Sequence, residues 1–149
     1  MRIELSQIEE KKGNESFFIT ISTRGIQQYF GRCSQGKVVL SVSGYIAKKS
    51  WLEISLQFPG VVLDAFIIMP NHIHGILSLD AAPFDTEGNR LCEIINAYKM
   101  AVRCKTGYLK LENTVAWQKG FHHRKLRDEF ERERLRAYIR DNPKKWRCD

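Results

Sequence analysis

Two apolar, β-prone runs, Val61–Ile68 and His72–Leu79, are separated by only Met69, Pro70 and Asn71. Proline fixes its own φ and withdraws a backbone donor, so it interrupts a hydrogen-bond ladder. A gap this short lets the second strand return only antiparallel to the first. The middle of the chain is thereby committed to an antiparallel β pair. On the returning strand, His72 and His74 flank Ile73, and strand side chains alternate between faces. Both imidazoles therefore point to one side. Such a pair is half of a metal site, and it is also what ordinary sheet polarity produces.

The rest of the pattern supplies partners for that hairpin. Residues 17–23 are aromatic and β-branched and read as a buried first strand. Residues 28–30 and 37–40, joined through Gly31 to Gly36, read as a second hairpin with a glycine-containing turn. Ser41 or Ser43 caps a helix through Ile46, Trp51, Leu52, Ile54 and Leu56, which share a face, and Pro59-Gly60 stops it. Residues 80–89 are polar and read as a surface loop. Leu91, Ile94, Ile95, Tyr98 and Val102 mark the buried face of a further helix. A mobile connection is expected at 107–113, and residues 115–118 and 121–126 are short extended pieces, one of them a fourth strand. Asp128 opens a strongly charged helix to about Arg140, ended by Asn142-Pro143.

Strand, helix, strand, strand, helix, strand is the split β-α-β order of a ferredoxin-like α+β domain. It predicts an antiparallel sheet with helices on one side, an extra β-hairpin and a C-terminal helix. At 149 residues this is one domain, 1–149.

Charge narrows the partners. The net +7 is unevenly spread: residues 1–98 carry 9 Lys/Arg against 10 Asp/Glu, and residues 99–149 carry 15 against 7. A field of that kind suits a polyanion, most often nucleic acid, and it also fits a solvated basic helix with no partner. Arg132, Arg134, Arg136 and Arg140 alternate with Glu129, Glu131 and Glu133, the pattern of a solvated, salt-bridged helix. No run approaches the ~18 apolar residues of a membrane span, and residues 1–6 lack a signal-peptide core. The four cysteines are scattered without a C-x-x-C pair and read as reduced thiols. A cytoplasmic protein with no membrane partner is expected.

Tyr138 and Asn142 lie four residues apart, hence on one face of a helix. If that face packs near His72 and His74, a site gains two imidazoles, an oxygen ligand and a phenol. A divalent ion on His72, His74 and the Asn142 side-chain oxygen would keep open positions for phosphate oxygens and offset charge growing on phosphorus. Tyr138 would attack the phosphorus, giving a phosphotyrosine and a free 3′ hydroxyl. A phenol of pKa ~10 is mostly protonated at neutral pH; the metal and cations such as Arg127 or Lys144 would favour its ionised form. Tyr98 reads as helix core and Tyr108 as a loop residue. A core role for Tyr138 is the bland alternative.

Three segments together carry a resemblance: Ile67-Ile68-Met69-Pro70-Asn71-His72-Ile73-His74-Gly75, Trp117-Gln118-Lys119-Gly120-Phe121, and Tyr138-Ile139-Arg140-Asp141-Asn142-Pro143. They resemble the REP-associated tyrosine transposases, within the HUH single-tyrosine transposases of bacterial insertion sequences, over most of residues 17–146. The resemblance implies a DNA strand transferase that binds single-stranded or hairpin DNA and nicks and rejoins it through a 5′-phosphotyrosine. It implies magnesium or manganese as cofactor, and a monomer or homodimer. It places the metal-binding histidines on His72 and His74, the nucleophile on Tyr138 of a catalytic C-terminal helix, and a polar ligand on Asn142.

The run Phe121-His122-His123-Arg124-Lys125-Leu126 departs from the family, whose members often carry two aromatics, an acidic residue, a histidine and two aliphatics there. DNA contacts are expected from Arg124, Lys125, Arg127, Lys144, Lys145 and Trp146, and Trp117, Phe121 and Trp146 are candidates for stacking on unpaired bases. Two other readings stand beside the enzyme: a catalytically silent or domesticated hairpin-DNA binding protein of the same fold, and a metal-dependent phosphodiesterase that uses water.

Overall fold

The structure is a computed structural model, and it describes residues 14–80, 87–109 and 114–146. Six strands and four helices follow in order: β1 Glu15–Ser22, β2 Gly31–Ser34, β3 Lys37–Leu40, α1 Val42–Leu52, α2 Ile54–Gln57, β4 Val61–Ile68, β5 His72–Leu79, α3 Glu87–Tyr108, β6 His122–Lys125 and α4 Glu129–Lys145. Four strands make one antiparallel sheet in the order β4-β5-β1-β6, and β2-β3 form a separate ribbon. β5 lies between β1 and β4, which is the split β-α-β arrangement of an α+β ferredoxin-like fold.

Period-two alternation divides the sheet into two working faces. Phe17, Ile19, Ile21, Ile73, Leu77 and Leu79 pack with Ala47 and Trp51 of α1 and with Leu91, Ile94, Ile95, Tyr98 and Val102 of α3. Glycine at position 75 is dictated by this packing, because a β-carbon there would collide with the indole of Trp51. Truncating that wholly buried indole (Trp51→Ala) is expected to cost about 3–5 kcal/mol. On the opposite face Phe18, Ile67 and Ile76 meet Leu126, Leu135 and Ile139, so α4 covers the side that α1 and α3 leave open.

A β-bulge makes this two-sided packing possible. Leu63 pairs with Leu77 and Phe66 with Gly75, so Asp64 and Ala65 together oppose Ile76. The extra residue reverses the phase of β4. Leu63 and Phe66 consequently both join the α1/α3 core, while Asp64 and Ala65 face α4.

Four boundaries differ from the sequence reading. The first arm of the small hairpin is Gly31–Ser34 rather than 28–30; Gln35 and Gly36 both take positive φ (52° and 75°), a two-residue turn that fixes the pairing Ser34–Lys37. The helix capped by Ser41 breaks at Glu53, which leaves Leu52 exposed and Leu56 81% exposed, so these two leucines are not part of the buried face. The connection expected from 107 is still helical to Tyr108; residues 110–113, and 81–86 of the expected surface loop, lie outside the described residues. α4 runs through Pro143 to Lys145, because one proline in the last turn removes only a single intrahelical donor.

Candidate active site

Asp128 caps α4 by accepting from the Glu131 N–H at 2.8 Å, and Glu131 in turn accepts from the Arg127 N–H at 2.9 Å. This reciprocal arrangement resembles a capping box and fixes where the helix begins. Two arginines then tie the helix to the sheet. Arg136 donates both Nε and Nη2 to the Asp64 carboxylate (2.9 and 2.8 Å), and Arg132 reaches Asp64 at 3.1 Å and the Ser16 hydroxyl at 2.7 Å. Burial works against the Asp64 charge, but the Arg136 hydrogen bond, the Ala65 N–H and the two guanidinium charges outweigh it, holding the carboxyl below its ordinary 3.8. Arg132 and Arg136 are thus anchors, not members of a solvated face.

Anchored in this way, the second half of α4 crosses the imidazole face of β5. The His72 and His74 rings are 4.7 Å apart between centroids, and Tyr138 lies 5.5 Å from His74 and 6.1 Å from Phe18. Phe18 stacks on His74 at 5.3 Å, and Trp146 tilts over His72 at 6.0 Å. Asn142, buried to 9% exposure, hydrogen-bonds to His72. One chain therefore brings together the two imidazoles, the phenol and the carboxamide. Tyr138 keeps 41% of its surface open to solvent, and the cation set over its ring is Lys145, at 5.5 Å. Neither of the cations expected there fills that place: Arg127 pairs with Glu131, and the Lys144 stem rests beside Gly36.

Each imidazole is oriented by a hydrogen bond at Nδ1. His74 Nδ1 shares a 2.9 Å bond with the Thr20 hydroxyl, and His72 Nδ1 a 2.7 Å bond with the Asn71 carboxamide oxygen. Burial, then the neighbouring His72, pushes His74 down to about 4; burial lowers His72 too, against the opposing bond from Asn142. Both rings are accordingly neutral near pH 7, the form that ligates a metal. With both Nδ1 atoms engaged, the Nε2 atoms are the ones left to ligate a metal, that of His72 in exchange for its bond to Asn142. Two neutral imidazoles and a carboxamide oxygen suit a divalent ion with several open positions. Among the described residues no three His, Cys, Asp or Glu side chains cluster as a metal site, so any ion here depends on the carboxamide as third ligand.

The expected DNA contacts divide. Arg124 and Arg127 both pair with Glu131, together with Arg134, and Lys125 pairs with Glu15 at 3.3 Å. Lys145 is exposed over the Tyr138 ring, and Lys144 is exposed with its stem against Gly36. Trp117 packs between Phe30 and Tyr98 and donates its indole N–H to the Lys99 carbonyl, so it is a partly buried residue set against the core. Thr20, Phe18 and Asp64 were not singled out as site residues in the sequence. Their signal is the strand register: Thr20 faces His74 and Phe18 faces Ile76 across β1 and β5, which no single strand reveals.

No family profile matches the chain. A protein of Haemophilus influenzae described only as uncharacterized is 28% identical over 151 aligned residues, covering 89% of this chain and 82% of the relative. The structure of a REP-associated tyrosine transposase bound to a REP hairpin superposes with a TM-score of 0.64 at 19% identity, over 91% of this chain and 69% of that one. A presumed transposase of Deinococcus radiodurans R1 gives a TM-score of 0.53 at 17% identity, over 87% and 92%. The α+β fold read from the order of strands and helices in the sequence is thereby borne out. No described helix is long and apolar enough to cross a membrane.

Proposed function

We propose that this chain, which shares its fold with a REP-associated tyrosine transposase, is a DNA strand transferase of the HUH single-tyrosine kind, acting on single-stranded or hairpin DNA. The observation that carries the reading is the meeting of Tyr138 and Asn142 with His72 and His74 within one chain. Fold likeness alone would not identify the chemistry.

His72, His74 and Asn142 would hold magnesium or manganese, which supplies Lewis-acid stabilisation of charge on the phosphate oxygens. The Tyr138 oxygen attacks the phosphorus of a phosphodiester and the P–O3′ bond breaks. The phenolic proton passes to solvent and the departing 3′ oxygen takes one up. The product is a 5′-phosphotyrosine, and attack by another 3′ hydroxyl reverses the step and joins two strands. Lys145 lies over the Tyr138 ring, and Phe18 fixes the ring's approach. Thr20 and Asn71 keep the imidazoles in ligating orientation.

A labelled hairpin oligonucleotide incubated with manganese should give a covalent protein–DNA adduct on a denaturing gel, abolished by chelator and by Tyr138→Phe. A mobility shift without adduct would instead identify a silent hairpin-DNA binder, and cleavage that survives Tyr138→Phe a phosphodiesterase using water.

A further inference from the structure

On the side of the sheet away from Tyr138, a groove of about 1170 Å³ runs between α3 and the segment 114–120. Arg24, Lys99, Arg103 and Lys119 line it, and among the described residues no acidic side chain does. Arg24, Arg103 and Lys119 are exposed, and none forms an ion pair with a described residue. That separates this groove from the cations on β6 and the first half of α4, whose charges are met by Glu15, Glu131, Asp64 and Glu129.

The wall of the groove is also stitched in place. Lys99 Nζ donates to the carbonyls of Gln118 and Gly120, both at 2.9 Å, and the Lys99 carbonyl accepts the Trp117 indole N–H at 3.0 Å. Lys119 lies between the two gripped carbonyls, so its backbone is fixed while its ammonium stays outside. At its other end the groove meets the strand ends that carry the imidazoles. The Arg24 N–H donates to Ala116, the Thr23 N–H to Asn71, and Ser22 pairs with His72.

From these observations we infer that the groove binds the phosphate backbone of DNA outside the scissile bond, on the face opposite the catalytic one. The inference rests on the proposed function and adds a second contact surface to it. DNA held there would pass around the sheet end at Asn71 to bring its cleavable strand to Tyr138. Its affinity is electrostatic and independent of sequence, because guanidinium and ammonium groups meeting phosphates release counterions.

The test is fluorescence anisotropy of a labelled hairpin oligonucleotide across a salt series, with cleavage kinetics on the same protein. Arg103→Ala/Lys119→Ala should weaken binding at least about tenfold and lower the slope of log K against log salt by about 2, near 0.9 per lost phosphate contact. KM should rise with kcat unchanged, since neither residue touches Tyr138. The double variant Lys48→Ala/Lys49→Ala, which removes the same charge from exposed positions on α1, should bind within about twofold of the unaltered protein. If the unaltered protein binds and cleaves while the groove variant matches it in affinity and slope, the groove is not a DNA surface and the catalytic reading stands. Equal loss from the α1 control would also overturn the inference, because net charge alone would explain it. Failure of the unaltered protein to bind DNA at all overturns both.

Discussion

The two halves of α4 look alike in sequence and do different work. From Glu129 to Arg136, arginines and glutamates alternate, and nearly all are engaged within the protein: Arg132 and Arg136 on Asp64, and Glu131 gathering Arg124, Arg127 and Arg134. From Tyr138 to Trp146 the helix presents a phenol, a carboxamide, a lysine and an indole around two imidazoles. The first half holds the second in place. A dense run of charge in a sequence therefore says little about which charges remain for a partner. Here the cations without an ion pair among the described residues include Arg24, Arg103 of α3 and Lys119, all outside the most strongly charged helix.

The contrast predicts a graded set of effects. Tyr138→Phe should leave folding intact and reduce strand cleavage by at least ~10³-fold in a single-turnover assay. In the other half, Asp64→Asn should act on stability first, by about 3 kcal/mol in urea unfolding, because it leaves the buried Arg132 and the half-buried Arg136 without their shared carboxylate. That contribution carries a pH signature. The folded-state pKa lies below the unfolded one, so the stabilisation is complete above about pH 4 and is lost as pH falls through the folded value. The gap between the unaltered protein and the variant should be flat from about pH 6 to 8 and close in acid.

Smaller effects follow. Thr20→Val removes the hydroxyl that orients His74 while keeping the β-branch, and should weaken manganese binding by about tenfold in a titration, with little change in melting temperature. Arg140→Ala removes an exposed cation whose one ion pair among the described residues is with its neighbour Asp141, and should change stability by no more than ~0.5 kcal/mol. A large stability loss at Arg140, or none at Asp64, would erase the distinction between the halves.

Much of this was legible in the chain. The hairpin about Pro70-Asn71, the side shared by His72 and His74, the buried stripe from Leu91 to Val102 and the cap at Asp128 follow from local periodicity and capping chemistry, which need no knowledge of neighbours. The four-residue offset of Tyr138 and Asn142 placed them together on one helical face. What local patterns could not convey was pairing between distant segments. The bulge at Asp64 and Ala65 is visible only against Ile76, and it turns an apparently ordinary acidic residue into the anchor of α4. Thr20 acquires meaning only opposite His74, and Arg132 and Arg136 only once Asp64 faces them. The break of α1 at Glu53 follows no proline or glycine, and the exposure of Leu56 is its consequence.

The most direct measurement is the identity of the residue that becomes linked to DNA. After reaction with a hairpin oligonucleotide and manganese, nuclease trimming and trypsin, mass spectrometry should find the nucleotide remnant on the peptide Ala137-Tyr138-Ile139-Arg140, attached at the phenol. A remnant on Tyr45, Tyr98 or Tyr108, or cut strands with no linked peptide at all, would contradict the assignment of strand transfer to the closing half of α4.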